Sequence, residues 1–476
     1  MPSCDALKKN FVLVFLTIAV SFAATRLGEL PPAEQAALDR ISPDSLRANL
    51  SFLASDDLGG RDTPSPGLDR AAEYIAAQFR RAGLEPATAD RSYFQVAKFD
   101  QVTPDMAGFQ LVLKSGDKRI DIPGNEARLR SRAALDFEDA PVIGLPPSGA
   151  IPAIAGAIVA GTLDRYGDEA LLEDLQSRKP ALILLFDKSG KNDRTDRFLD
   201  DLQLHHAPVI RIHDSGALDF LQRTRHFTLT LHVAQPAVNQ ISPRNVAALL
   251  PGSDPALRGE YVLLTAHYDH LGRSSKGIFN GANDNASGTV SVIEIANALA
   301  TLNPRPRRSI LFMTFFGEEE GLLGSYYYAH SPLVPLASTV AEINLEQMGR
   351  TDEASGKRVL EFAFTGPSYS NLPAIMSAAA KAEGIGTWKI RDGDSYFSRS
   401  DNYAFALRGV VAHTIAVAAE YPDYHGLGDK WEKIDYANMA KVDRGVAAGV
   451  LRIADDPAAP RWSDSNAAAV YREAGR

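Results

Sequence analysis

One cysteine, Cys4, occurs in 476 residues, and it precedes the first apolar run. A fold held together by disulfides is thereby excluded. There is no Lys/Arg-rich run, and the net charge is −9. Neither nucleic acid nor an anionic membrane surface is an expected partner of such a chain. The sequence has no G-x-S-x-G elbow, which disfavours a serine hydrolase. It has no H-E-x-x-H, which disfavours a single-helix zinc protease. The N-terminal apolar run, residues 11–20, is too short to span a bilayer comfortably. What is present is ordinary globular composition: 45% hydrophobic and 23% charged residues, in a length that suits about two compact units.

The chain opens "MPSCDALKKNFVLVFLTIAVSFAATRLGEL". Lys8 and Lys9, the apolar run and Ser21-Phe22-Ala23 form the pattern of a signal peptide over residues 1–23, with an uncleaved anchor as the alternative. The expectation is a secreted or periplasmic protein without disulfides and without stable membrane association. Residues 68–82, "LDRAAEYIAAQFRRA", put Ala72, Ile75, Phe79 and Ala82 on one helical face, and Gly83 supplies a stop. From 106 to 238, short β-like runs recur: "FQLVL", "GAIVAG", "ALILLF", "PVIRI" and "FTLTLHV", with one helical stretch, "GDEALLEDLQSR". This block has the texture of a β-rich insert. His205 and His206 within it are adjacent and read as ordinary loop residues.

From 239 to 455 the pattern changes to strand, loop, helix, strand. "YVLLTAHYDH", "SILFMTFF", "VAEINLEQMG" and "GVVAHTIAV" read as strands, and "SGTVSVIEIANALATL" as a helix. Fully apolar strands alternating with helices predict a three-layer α/β fold with a mostly parallel sheet. Ligands in such sheets bind beyond the carboxyl ends of the strands. The candidate metal ligands fall there: His267 and Asp269, then Asp284, Glu318 and Glu319, Glu346, and His425. Singly each has a bland explanation, a cap or a structural histidine. Together, two histidines and several carboxylates suit zinc or a similar cation. The charges fit two ions: +4 is met by −3 from Asp284, Glu319 and Glu346 and −1 from a hydroxide. One ion would leave negative charge uncompensated in a partly buried place.

Five motifs in order, "AHYDHLG", "GANDNASG", "GEEEGLLGS", "INLEQMGR" and "DYHGLGDKWEKIDY", together resemble the aminopeptidases of metallopeptidase family twenty-eight. These are co-catalytic zinc exopeptidases related to glutamate carboxypeptidase and glutaminyl cyclase. "LASDDLGGR" resembles the family's N-terminal segment, and the block at 106–238 its inserted protease-associated domain. The resemblance implies a three-layer α/β/α zinc-exopeptidase fold with a mixed, mostly parallel sheet. It divides the chain into residues 24–105 and 239–455 of the peptidase domain, the insert 106–238, and a tail 456–476.

The resemblance further implies two Zn2+ ions, or other divalent ions, and peptide substrates. His267 and Glu346 would serve one ion, His425 and Glu319 the other, with Asp284 bridging. Asp269 would orient His267, and Glu318 would be the general base toward a metal-bridged water. Glu320 falls at a variable position. Glu346 stands where the family usually has Asp, its oxygen displaced by about one C–C bond length. Asp401, in "SRSDNYAF", reads either as a group that contacts the substrate or stands behind a metal ligand, or as a turn residue. The rival readings are a carboxypeptidase or glutaminyl cyclase on the same fold, or a binding protein without catalysis.

Overall fold

The structure is a computed structural model that describes residues 30–167, 169–188, 198–201, 207–224 and 226–475. The leader pattern with Cys4, and the pair His205 and His206, lie outside the described residues.

A nine-stranded mixed sheet forms the frame. Across it run Glu85–Pro86, Arg244–Leu250, Ser309–Phe315, Tyr261–His267, Thr339–Glu346, Ala412–Ala416, Glu361–Phe364 and Gly386–Thr387, and Phe94–Val96 also pairs with Arg244–Leu250. The four central strands, from Ser309–Phe315 to Ala412–Ala416, are mutually parallel. Every residue of Ser309–Phe315 is buried, which explains its uninterrupted apolar run: both faces of the sheet are covered. One helical layer contains Pro66–Arg81, Gly288–Leu299 and Tyr436–Asp455; a second contains Leu323–His330 and Asn402–Ala406. The expected three-layer α/β architecture is therefore present.

Local signals set the helix starts. Ser65 accepts the Leu68 N–H at 3.1 Å before Pro66–Arg81, with proline in its first turn. The face expected to be apolar does bury Ala72, Ile75 and Phe79. Asp435 accepts the Asn438 N–H at 3.0 Å at the start of Tyr436–Asp455.

A second sheet of eight strands is built from residues between Gln110 and Val233. Its strand Leu182–Phe186 shows why it is self-sufficient. Leu182, Leu184 and Phe186 enter one apolar cluster, and Ile183 and Leu185 enter another on the opposite face. The antiparallel pair Phe99–Thr103 and Ala237–Ile241 stands where the chain leaves the first sheet and returns. The C-terminal segment is packed: Trp462 Nε1 donates to the Gly409 carbonyl at 2.9 Å, and its ring lies 5.3 Å from that of Tyr471.

One buried cation ties the N-terminal segment to the sheet. The Arg61 side chain is fully buried and donates to the carbonyls of Leu53, Tyr268, Asn280 and Gly281. Burial lowers its pKa to about 10, while Asp269, Asp429, Asp284 and Glu319 oppose that loss, so the group stays charged at neutral pH. Lysine keeps the charge but loses the planar fork. Arg61→Lys should therefore strand buried carbonyls and lower the unfolding free energy by about 3 kcal/mol, read by urea denaturation. A change within experimental error would show that the four carbonyls do not depend on the guanidinium.

Candidate active site

Each element delivers its side chain at the carboxyl end of the parallel strands. His267 is the last residue of Tyr261–His267 and is in register with Phe315. Glu318 and Glu319 follow Phe315 in the turn before Leu323–His330. Glu346 ends Thr339–Glu346. Asp284 lies in the irregular turn Ala282–Ser287, where its φ/ψ of −113°/93° breaks the helical path. His425 sits beyond Ala412–Ala416, stacked on Tyr424 with ring centroids 4.0 Å apart.

These side chains converge, and Asp284 is the point of convergence. His267 Nε2 lies 3.4 Å from Asp284 Oδ1 and 3.3 Å from Glu346 Oε1. His425 Nε2 lies 3.1 Å from Asp284 Oδ2 and 3.2 Å from Glu319 Oε1. The two oxygens of one carboxylate thus face two separate sets of donors. Donors around a tetrahedral ion with 2.0–2.1 Å bonds stand about 3.3 Å apart. The side chains present therefore fit zinc, in chemistry and in spacing.

The field agrees with that fit. Burial would depress the His425 pKa, yet hydrogen bonding to Asp284 and Glu319 pushes it up to about 10. Burial also opposes charge on His267, but Glu346 and Glu318 hold its pKa well above the usual histidine range. Burial, with Glu319, Glu346 and Asp401 around it, drives the Glu318 carboxyl well above the usual range, against the pull of His267. So many carboxylates in one buried place create a strong preference for positive charge.

Asp269 is fully buried behind the histidine. Its Oδ1 lies 3.5 Å from His267 Nδ1 and accepts the Glu318 N–H at 3.1 Å. One carboxylate thereby couples the imidazole to the glutamate turn, in the manner of outer groups that orient metal ligands. Asp401 resolves as a buried group at the start of Asn402–Ala406, pushed to about 7 by burial, and not as part of the cleft wall. The cleft in front of the donors is lined by Glu318, Gln347, Ile390, Tyr396, Arg399, Glu420 and Tyr424, among others.

Sequence reading missed the groups that hold the loops together. Asn283 Oδ1 accepts the N–H groups of Gly349 and Arg350 at 2.8 and 2.9 Å. Asn285 Oδ1 accepts from Gly288 and Gln347, while its Nδ2 donates to the Leu345 carbonyl at 2.8 Å. Ser287 Oγ accepts the Met348 N–H at 2.8 Å. The "GANDNASG" turn is stitched to the loop after Glu346, which fixes Asp284 opposite Glu346. Gly288 has to be glycine, because a Cβ there would come 2.2 Å from the Leu345 carbonyl oxygen. Asp429 accepts the Asn283 and Asp284 N–H groups from below and a hydrogen bond from the Tyr421 hydroxyl. Ser400 donates to Glu346 Oε1 at 2.6 Å and accepts from Asn344 Nδ2 at 2.7 Å. The signal for these residues was their presence inside the quoted motifs, but their partners lie 60 or more residues away for most of them.

Residues 245–450 match the family model described as peptidase family M28. A vacuolar membrane protease from Verticillium alfalfae is 28% identical over 195 residues, covering 41% of this chain and 18% of that protein. The match thus spans under a fifth of that relative. An aminopeptidase from Aneurinibacillus sp. strain AM-1 superposes with a TM-score of 0.57 at 19% identity, covering 90% of this chain and 97% of the other. A zinc aminopeptidase from Bacillus subtilis gives 0.50 at 20%, covering 88% and 97%. At these identities the structural likeness shows the fold.

The expected secreted or periplasmic location is overturned: several curated relatives are named for a vacuolar membrane. The physical reason is that a basic and apolar leader reports a targeting step and carries no destination. Among the described residues, no helix is long and apolar enough to cross a membrane.

The Ser400 contact is testable. Ser400→Ala removes the hydroxyl that steadies Glu346 and should weaken zinc at the His267–Asp284–Glu346 donors by about 10–100-fold. Chelator competition would read this. Unchanged affinity would mean that the strand end alone holds Glu346.

Proposed function

We propose that this chain, whose residues 245–450 match the model of peptidase family M28, is a zinc-dependent aminopeptidase acting on peptides. The observation that carries the reading is the two-sided placement of Asp284, with His267 at one oxygen and His425 at the other. His267, Asp284 and Glu346 would hold one ion, and Asp284, Glu319 and His425 a second. Bound there, divalent ions would acidify water and polarise a peptide carbonyl.

The protein's own part is positioning and proton transfer. Glu318 borders the cleft, with its Oε2 3.8 Å from His267 Nε2, and its backbone is anchored by Asp269. It is the general base in this reading: it takes a proton from the attacking water and returns it to the leaving amine. Glu319, one residue on, faces His425 and serves as a ligand. The longer Glu346 is accommodated by the Ser400 hydrogen bond at its tip. Residues 106–238 form the protease-associated-like insert in this reading and, among the described residues, bring no ligand. The preference for a free N-terminus is taken from the solved neighbours that are named aminopeptidases. Aminoacyl-anilides should be cleaved and their N-acetyl forms left intact. Cleavage of blocked substrates from their carboxyl end would favour the carboxypeptidase alternative.

The neighbouring glutamates separate in experiment. Glu318→Gln should retain its metal and lose about 10²–10⁴-fold in rate. Glu319→Gln should bind metal more weakly, because a neutral amide is a poorer ligand than a carboxylate, and should recover part of its activity in excess zinc. Recovery of the Glu318 variant instead would mean the two roles are exchanged.

A further inference from the structure

A third histidine stands at the same strand end. His270, the last polar residue of "AHYDH", has a fully buried side chain. Its backbone N–H is held by the Arg61 carbonyl at 3.2 Å. Its ring is pressed against Gly281, where a Cβ would come 2.3 Å from His270 Cγ. Nδ1 faces Glu319 Oε1 at 2.9 Å, and Nε2 meets no hydrogen-bond partner. A buried imidazole with an unsatisfied nitrogen is costly and calls for an explanation. A histidine nitrogen and a carboxylate oxygen at this spacing also suit two ligands of a common ion. Donor atoms of His270, Asp284 and Glu319 all lie within 4.8 Å of one another. The ring of His425 is 5.7 Å away at 71°, on the same carboxylates.

We propose that His270 Nδ1 is an additional metal ligand at the Asp284–Glu319–His425 position. This rests on the di-metal reading above. It makes the two positions unequal. The position of His267, Asp284 and Glu346 has three protein donors, the number that leaves a place open for reaction. The other gains a fourth, the number of a closed holding site. The buried His270 would keep an ion in place even when the half-exposed His425, on its loop, moves with substrate.

The test is metal binding, read without activity. Apo wild-type and His270→Ala proteins are titrated with zinc against a chromophoric chelator. One of two sites should weaken by at least about tenfold, and the other should stay within about twofold. X-ray absorption of wild-type protein carrying two zinc ions should count about 1.5 imidazoles per zinc; without His270 the count is about 1. The absorption measurement decides the matter if His270→Ala does not fold. Two sites of unchanged affinity in a folded variant, or a count near one, would overturn the role of His270 and leave the di-metal reading standing. A wild-type protein that cannot bind two ions would overturn both.

Discussion

The buried guanidinium of Arg61 is the contact on which the site's architecture rests. Its four carbonyl partners come from the N-terminal helix Pro43–Leu53, from the residue after His267, and from the loop before Asp284. The N-terminal segment is thereby brought to one point with two turns that lie 207–220 residues further along the chain. The same charge partly offsets Asp269, Asp284, Glu319 and Asp429, which crowd the same buried volume. A single cation cannot balance them all, and the remaining carboxylates suit the added positive charge of zinc, which their spacing fits.

Around that cation, backbone amides and carbonyls do most of the aligning. Asn283, Asn285 and Ser287 bind the loop after Glu346. Asp429 binds the N–H groups of Asn283 and Asp284. Asp269 binds that of Glu318. Each contact fixes a loop carrying a donor relative to a loop carrying another donor. Rigid strand ends and stitched loops hold the converging donor atoms in fixed relative positions. The eight-stranded unit has its own two apolar clusters, separate from the core of this frame.

Much of the fold was legible in the amino-acid order. "SILFMTFF" could only be a strand covered on both faces, and it is buried throughout. The short apolar run "ALILLF" reads as β-like and is a strand whose residues enter clusters on both faces, and the helix over Ala72, Ile75 and Phe79 buries the expected face. The site was legible as residue types at strand ends: His267, Asp284, Glu318, Glu319, Glu346 and His425 do meet. Strand direction was less so. Arg244–Leu250 runs antiparallel to its neighbour, and no local pattern states strand direction.

What the sequence determined by itself was composition at each position: which segments must be buried, where turns break them, and which residues carry charge or imidazole. Those properties are local, set by side-chain chemistry and by periods of 2 and 3.6. Only the tertiary structure decided who faces whom. Asp284 presents one oxygen to His267 and the other to His425 because a turn between residues 282 and 287 is clamped from residues 345–350 and from Asp429. Asp401 went behind the site, Ser400 went to the tip of Glu346, and His270 turned inward toward Glu319. Adjacent residues such as Ser400 and Asp401 have similar local character. Their different fates follow from partners 50 and more residues away, which no local pattern specifies.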